Sequence, residues 1–278
     1  MEQPLPEALG IIAGKGAYPH LLAESAKKQG VRRVVAIAFK RETDRVIEKY
    51  SDDVKWIHLG QFGAMLDALR KSGVKHAVMA GQITPTHLFT VRLDAKMLEL
   101  LRKLPTRNAE TIFGAVGNEL KAIGIELLPA STFMEAHMPK AGLLSRRAPT
   151  DSEERDIDLG RKVALTTSGL DIGQTVVVKQ GTILAVEAFE GTDETIERAA
   201  RLGGDGIVIV KTAKKGHDMR FDIPVVGTHT LKVLKKTGAA VLAVEAGRSI
   251  LLERETIIEG INRMNMCLVA MEAYDQEA

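Results

Sequence analysis

The feature that most constrains the fold of this chain is an alternation in its first half. Strand candidates at residues 9–13, 33–38, 54–59 and 76–80 are separated by stretches with helical spacing. The second of them is continuously apolar after Arg33, as is typical of a parallel strand that is covered on both faces. The alternation therefore predicts an α/β fold with a doubly wound, Rossmann-like parallel sheet.

The alternation stops near residue 135, and a second α/β pattern begins after it. A chain of 278 residues is long enough for two domains of ordinary size. We predict an N-terminal Rossmann-like domain at 1–135, a linker at 136–150 and a C-terminal α/β catalytic domain at 151–278. Gln180-Gly181 lies between two apolar runs and predicts a two-residue hairpin turn, which gives the second domain a mixed sheet.

Composition excludes several classes of function. The chain has 38 basic and 36 acidic residues and only 4% aromatic residues, so we expect no nucleic-acid partner. A single cysteine, Cys267, excludes an internal disulfide and fits the cytoplasm. We find no signal peptide and no apolar stretch of about 18 residues. Any membrane contact is therefore expected to be peripheral.

A glycine loop follows the first predicted strand. Gly14, Lys15 and Gly16 stand where a strand passes into a helix, so their backbone N–H groups are candidates for phosphate or nucleotide contacts. Gln82 follows the fourth strand at the same edge of the sheet. Pro19 departs from the dinucleotide fingerprint, which weakens the alternative of a nicotinamide-dependent oxidoreductase. The other alternative is that the glycines only form a tight turn.

Charged residues are concentrated in the segment 211–224, between two structured stretches. Carboxylates ligate Mg²⁺ or Mn²⁺ and cations neutralise phosphate oxygens, so the mixture suits metal-assisted hydrolysis of a phosphate bond. In an extended strand Asp218, Arg220 and Asp222 share one face, but the two acids lie roughly 13 Å apart. Either the segment bends, or the two acids have separate roles. The alternative is a solvated charged strand with surface ion pairs.

Polar residues also stand at other strand ends of the second half. Gln174 precedes a predicted strand, and Glu190, Thr192 and Asp193 run from a strand into a helix. Either Thr192 or Asp193 could instead cap that helix. The histidines are scattered without zinc-ligand spacing, and no signature of a covalent nucleophile is present.

Five segments together resemble the LpxI type of UDP-2,3-diacylglucosamine diphosphatase, over essentially the whole chain. They are Gly10–Gly16, Ala80–Gln82, Leu170–Gln174, Glu187–Asp193 and Asp218–Pro224. The resemblance implies metal-dependent hydrolysis of UDP-2,3-diacylglucosamine to UMP and 2,3-diacylglucosamine 1-phosphate, or lipid X, in lipid A biosynthesis. It also implies a cytoplasmic homodimer with transient peripheral contact with the inner membrane.

The resemblance places the family's essential acid in the Asp-x-Arg-x-Asp motif, where we assign it to Asp222. From both lines of reasoning we expect three groups of site residues. The catalytic group is Asp222, Asp218, Arg220, Lys211 and Lys214. The metal group, for Mg²⁺ or Mn²⁺, is Asp222, Asp218, Glu190 and Asp193. The substrate-binding group is Gly14, Lys15, Gly16, Gln82, Gln174 and Thr192. A non-catalytic module that binds a sugar nucleotide or lipid is the alternative outside the enzymes.

Overall fold

The chain forms two compact units. The computed structural model describes residues 5–83, 92–106, 108–170, 172–214, 218–221 and 223–273. The N-terminal unit contains the described residues up to Met134 together with residues 218–221. The C-terminal unit contains the other described residues, from Glu135 onward. A short segment from the second half of the sequence is thus part of the N-terminal unit.

The N-terminal unit is built on a five-stranded sheet in which every pairing is parallel. The strand order is β3-β2-β1-β4-β5. This order, in which the chain reverses direction beside β1, confirms the doubly wound sheet that the alternation predicts. The strands are β1 (Ala8–Ala13), β2 (Arg33–Phe39), β3 (Asp53–Ile57), β4 (His76–Ala80) and β5 (Glu126–Leu127).

The helices of this unit begin and end at residues suited to those positions. Asp94 accepts a hydrogen bond from the Met97 N–H, and Asn108 accepts one from the Thr111 N–H, so both are N-caps. Gly73 ends a helix with a positive φ of 76°. The helices are α1 (Tyr18–Lys28), α2 (Ile47–Tyr50), α3 (Phe62–Ser72), α4 (Ala95–Lys103) and α5 (Ala109–Ala122).

The C-terminal unit has a mixed six-stranded sheet of order β6-β13-β11-β9-β7-β8, which confirms the predicted mixed sheet. The strands β9, β11 and β13 pair in parallel, and the other neighbours are antiparallel. The short strands β10 and β12 form a separate parallel pair. The strands are β6 (Gly142–Leu143), β7 (Thr175–Lys179), β8 (Thr182–Val186), β9 (Val208–Lys211), β10 (Val225–Val226), β11 (Val241–Glu245), β12 (Ile250–Leu251) and β13 (Cys267–Met271).

Helices cover both faces of this sheet. On one face Ile157 packs against Val208 and Val210. On the other face Ile196 and Ile257 pack in a common core with alternate residues of the same strands. The helices are α6 (Asp151–Ser168), α7 (Thr192–Gly203), α8 (Thr228–Lys236) and α9 (Arg254–Arg263), with a 3₁₀ turn at Glu135–His137.

Three parts of the C-terminal half differ from the sequence expectation. The sequence pattern predicts a helix over Glu255–Met264 as the last element, but the strand β13 follows it and lies between β6 and β11. The segment around Asp218 bends instead of forming an extended strand, because residues 219–221 form a turn in which the Phe221 N–H donates to the Asp218 carbonyl at 3.2 Å. The segment predicted as a linker contributes β6.

The hairpin between β7 and β8 is held by a buried carboxylate. Gln180 and Gly181 both have positive φ, 48° and 76°, as a two-residue hairpin turn requires. Their N–H groups donate to the two oxygens of Asp156, each at 2.7 Å. Asp156 is only 4% exposed. Helix α6 thus fixes the turn through one side chain.

An Asp156→Ala substitution should lower the free energy of unfolding of the C-terminal unit by about 3 kcal/mol. The reason is that it removes two charge-assisted hydrogen bonds and leaves turn N–H groups without an acceptor. Urea dependence of hydrogen exchange in peptides from β7 and β8 measures this loss. The exposed Asp158 on the same helix is the control, and Asp158→Ala should change stability by less than about 0.5 kcal/mol. Equal stability of the two variants would contradict the role of Asp156.

Candidate functional site

A buried polar cluster lies in the C-terminal unit at the end of β9 and the start of α7. Its members, Lys211, Thr192, Glu187 and Thr175, are called the Lys211 cluster below. The Lys211 Nζ donates to the Thr192 Oγ1 at 2.6 Å, and the Thr192 hydroxyl donates to the Glu187 Oε1 at 3.1 Å. The Thr175 hydroxyl lies 3.2 Å from the same Thr192 oxygen. One hydroxyl therefore links a cation to a carboxylate.

The strand pattern explains why Lys211 is buried. Ile207 and Ile209 belong to the core beneath α7, and side chains two residues apart share one face of a strand. Lys211, the last residue of β9, continues that face and is only 4% exposed. Thr192 meets it there because α7 begins directly above the sheet. The sequence thus places the ammonium group where an apolar face meets a helix end.

The arrangement is suited to bind an anion. An ammonium group has three N–H donors, and within the described part of the chain Thr192 is the one hydrogen-bond partner of the Lys211 ammonium. The first backbone N–H groups of a helix have no partner inside the helix and carry its positive dipole end. Gly191 precedes α7 and supplies no side-chain cap. Lys211 and the start of α7 together can therefore hold phosphate oxygens.

Two polar atoms beside the cluster lack hydrogen-bond partners among the described residues. They are Gln174 Oε1 and Thr212 Oγ1, both buried. They lie on neighbouring segments, because the Thr212 N–H donates to the Gln174 carbonyl at 3.0 Å. The Gln174 N–H also points at the Glu187 carboxylate at 3.4 Å. Buried polar atoms without partners at a site are available to a polar ligand.

The predicted metal ligand Glu190 is engaged elsewhere in the C-terminal unit. Its carboxylate lies 2.5 Å from the Arg198 guanidinium and 3.2 Å from the Thr195 hydroxyl. Burial acts to raise the pKa of the Glu190 carboxyl, but hydrogen bonds from Arg198 and from backbone N–H groups outweigh it. The pKa is therefore held below its ordinary value. The Asp193 carboxylate also has partners, both on α8. One of its oxygens lies 3.3 Å from the His229 Nε2, and the other lies 3.3 Å from the Thr230 hydroxyl.

Asp218 and Arg220 form a tight pair in the N-terminal unit. The Arg220 Nε lies 2.8 and 3.0 Å from the two Asp218 oxygens, and the Arg220 Nη2 lies 2.5 Å from Oδ2. These hydrogen bonds raise the pKa of the Arg220 guanidinium above its ordinary value. The Ala130 N–H donates to the Met219 carbonyl at 2.6 Å, and Phe221 packs against Phe113. These contacts fix the turn at residues 218–221 to the rest of the N-terminal unit.

Gly117 of α5 gives the Arg220 guanidinium room. A Cβ at position 117 would lie 3.2 Å from the Arg220 Nη1. Because Nε and Nη2 face Asp218, Nη1 is the nitrogen that lies beside the helix. Sequence reasoning missed Gly117, since a single glycine in an amphipathic helix carries no signal of its own.

The glycine loop is shaped by a close approach of two chain segments. The Lys15 N–H donates to the Gln82 carbonyl at 2.7 Å, and the Gln82 N–H donates back at 3.1 Å. A Cβ on Gly14 would lie 2.5 Å from the Gln82 carbonyl oxygen, so Gly14 is needed for this approach. Gly16 has a φ of 94° and is exposed, as is Lys15. Phosphate contact by Lys15 and Gly16 stays a prediction.

The structure describes three of the four predicted metal ligands, Asp218, Glu190 and Asp193. Nowhere in the described ranges do three or more histidine, cysteine, aspartate or glutamate side chains group as metal ligands. Asp218 is hydrogen-bonded to Arg220, Glu190 to Arg198 and Asp193 to Thr230. Asp222 lies outside the described residues. Lys214 is described and is partly buried, three positions beyond Lys211.

Sequence reasoning did not assign three polar residues of this region to the site. Glu187, Thr175 and Thr212 each stand at a strand end, with exposures of 7%, 0% and 1%. Strand-end position was a usable signal, because the carboxyl edges of α/β sheets are where ligands bind. The burial of these residues could not be predicted, since a charged residue at a strand end is ordinarily solvated.

The fold and the site describe an α/β protein of two units with a donor set, at Lys211 and the start of α7, that suits an anion. Family models described as the LpxI N-terminal domain and the LpxI C-terminal domain match residues 8–137 and 140–269. The chain belongs to the LpxI family. It is 29% identical over 284 residues to the UDP-2,3-diacylglucosamine pyrophosphatase LpxI of Caulobacter vibrioides, an alignment that covers 96% of this chain and 99% of that protein.

Likeness to solved structures is low. The biotin carboxylase domain of Hydrogenobacter thermophilus 2-oxoglutarate carboxylase matches with a TM-score of 0.29 and 12% identity, over 72% of this chain and 41% of that one. The biotin carboxylase subunit of a pyruvate carboxylase matches with a TM-score of 0.28 and 15% identity, over 70% and 41%. This chain thus spans about two fifths of those structures. Within the described residues, no helix is long and apolar enough to cross a membrane.

Proposed function

We propose that this enzyme hydrolyses the diphosphate bond of UDP-2,3-diacylglucosamine, releasing UMP and 2,3-diacylglucosamine 1-phosphate (lipid X) for lipid A biosynthesis. The relative from Caulobacter vibrioides carries the name of this activity and aligns along nearly its whole length. The structural observation that carries the proposal is the buried Lys211 ammonium at the start of α7. A diphosphate is the polyanion that such a donor set suits.

In this reaction water attacks phosphorus and a P–O bond of the diphosphate breaks. Negative charge grows on the leaving phosphate oxygen, and fixed donors that face this charge lower the barrier. Lys211 and the α7 N–H groups would bind phosphate oxygens, while Thr192 and Glu187 hold the ammonium in place. Arg220, oriented by Asp218, is proposed as a second cation for the phosphates. Asp222 is kept as the proposed essential acid.

We also propose that the activity requires Mg²⁺ or Mn²⁺. Mg²⁺ usually keeps several waters and is bound by one or two carboxylates together with substrate phosphates, rather than by a protein cage. This mode of Mg²⁺ binding is compatible with a chain whose described carboxylates form no group of three or more metal ligands. The ion would supply Lewis acidity at the diphosphate.

The purified protein is expected to release UMP from UDP-2,3-diacylglucosamine in the presence of Mg²⁺ or Mn²⁺ and to lose this activity in EDTA. Lipid X should appear in equal amount, and added metal should restore turnover. Chromatography of UMP and mass spectrometry of the lipid measure the two products. Folded protein that binds the lipid without turnover would instead support a binding module. Turnover that EDTA leaves unchanged would remove the metal from the proposal.

We further infer a cytoplasmic homodimer that contacts the inner membrane transiently. A substrate with two acyl chains and a nucleotide head is most accessible at a membrane surface, which supports the peripheral contact. The single buried Cys267 suits a reducing compartment. Sedimentation analysis tests the dimer, and flotation with liposomes tests the membrane contact.

A further inference from the structure

One short stretch of the C-terminal unit, from Glu245 to Ile250, contacts the chain after β9 and again at β10. At the start of this stretch, the Ala213 N–H donates to the Glu245 Oε2 at 2.8 Å. At its end, the Ile250 N–H donates to the Pro224 carbonyl at 2.9 Å, and β10 pairs with β12. The turn from Glu245 to Ile250 therefore fixes the chain directly after β9 and the start of β10.

Glu245 is an unusual residue to find at this position. It is the last residue of β11, whose other members are apolar and buried, and it is only 2% exposed. A buried carboxylate is stable only where hydrogen bonds replace its lost water. The Ala213 N–H supplies such a bond, and the Arg248 guanidinium lies 3.9 Å from the other oxygen. The carboxylate thus accepts a hydrogen bond from the chain directly after β9.

The Ala213 bond acts directly on the candidate site. Val244 pairs with Lys211 between β11 and β9, so Glu245 stands next to the point where the chain leaves Lys211. Ala213 is two residues beyond Lys211, and its N–H fixes the direction in which the chain continues. A displacement of about 1 Å in a catalytic group can reduce the rate by about 100-fold. One buried bond thus lies directly beside a proposed phosphate ligand, Lys211.

We propose that Glu245 is a positioning residue for the hydrolytic reaction, acting through the Ala213 N–H on the chain directly after Lys211. Its role needs a hydrogen-bond acceptor rather than a negative charge. The kinetic part of this inference rests on the proposed function, whereas the anchoring part stands on the structure alone.

Two variants separate the acceptor from the charge. Glu245→Met keeps much of the volume but removes the acceptor, and it is expected to lower kcat by about 10- to 100-fold with little change in KM. Glu245→Gln keeps a carbonyl oxygen and should stay within about threefold of the unmodified enzyme. The matched control is Ser249→Ala. Ser249 is buried on the same turn and accepts a hydrogen bond from the Glu245 N–H, and among the described residues its hydroxyl makes no hydrogen bond to Ala213.

A second readout requires no activity. Hydrogen exchange in peptides that contain Ala213, and trypsin cleavage after Lys214, should be faster in Glu245→Met than in the unmodified protein. Glu245→Gln and Ser249→Ala should behave like the unmodified protein. Thermal melting confirms that each variant is folded.

Three outcomes would overturn the proposal. Normal exchange at Ala213 in Glu245→Met would remove the anchor. Equal losses of kcat in Glu245→Met and Glu245→Gln would show that charge, not the acceptor, matters. An equal loss in Ser249→Ala would show a general effect on the turn. If the unmodified protein shows no turnover, the proposed function fails while exchange still decides whether Glu245 is the anchor.

Discussion

A Lys211→Met variant is expected to lose about 100- to 1000-fold in kcat/KM for UDP-2,3-diacylglucosamine while keeping its fold. Removal of a single preorganised donor to developing negative charge typically has an effect of this size. The substitution leaves the aliphatic part of the side chain in its buried position and removes only the charged head. Thr192 and Glu187 then remain hydrogen-bonded to each other. The loss is read from initial rates of UMP release.

Stability separates this prediction from a general structural effect. A buried ammonium is costly to desolvate, so replacement by an apolar side chain of similar length should leave the free energy of unfolding unchanged or raise it. The control is Lys162→Met, at an exposed position of α6, which should leave both activity and stability unchanged. If Lys211→Met retained full activity, Lys211 would have no role at the diphosphate, and the Lys211 cluster would be structural.

Asp218 and Arg220 are expected to behave as one functional unit. Arg220→Ala should reduce kcat by about 100-fold or more, because it removes a cation proposed to face the phosphates. Asp218→Ala should cause a similar loss, since it frees a guanidinium that three hydrogen-bond distances of 2.5–3.0 Å now orient. The double variant should be no worse than the poorer single variant.

The double-variant cycle also distinguishes this role from metal binding. If Asp218 were a metal ligand independent of Arg220, the two losses would multiply, and excess Mg²⁺ would partly restore Asp218→Ala. We expect neither effect. Gly117→Ala is a further probe, because its Cβ would lie 3.2 Å from the Arg220 Nη1. This substitution should displace the Arg220 guanidinium without contacting Asp218. Separate measurement of kcat and KM shows how much the displacement affects the reaction.

The sequence predicted those parts of the fold that depend on local pattern. The parallel sheet followed from apolar runs between helices, and the β7–β8 turn from Gln180-Gly181. The turn at residues 218–221 was not predictable in this way. Alternating polar and apolar residues suit a strand, but the Asp218–Arg220 pair and the packing of Phe221 on Phe113 favoured a turn. Tertiary contacts thus overrode the period-2 pattern.

The candidate site was predictable in its members more than in its arrangement. Lys211, Thr192 and Gln174 were identified because polar residues at strand ends stand out against apolar runs. Which of these residues lie together depends on the order of strands in the sheet, where β9 pairs with β7 in the antiparallel direction. Glu187 and Glu245 escaped notice for a related reason. A carboxylate at a strand end has the same appearance in sequence whether it is solvated or buried.

The assignment of residues 218–221 to the N-terminal unit has a practical consequence for dissecting this enzyme. A fragment that stops at Met134 would lack the partner of the Ala130 N–H and the ring that packs on Phe113. Chimeras that exchange one half of the sequence between relatives would therefore combine residues 218–221 of one relative with the N-terminal unit of the other. A recombinant N-terminal unit is best built by fusing residues 218–221 to the fragment, so that one continuous sequence encodes all the residues of the unit.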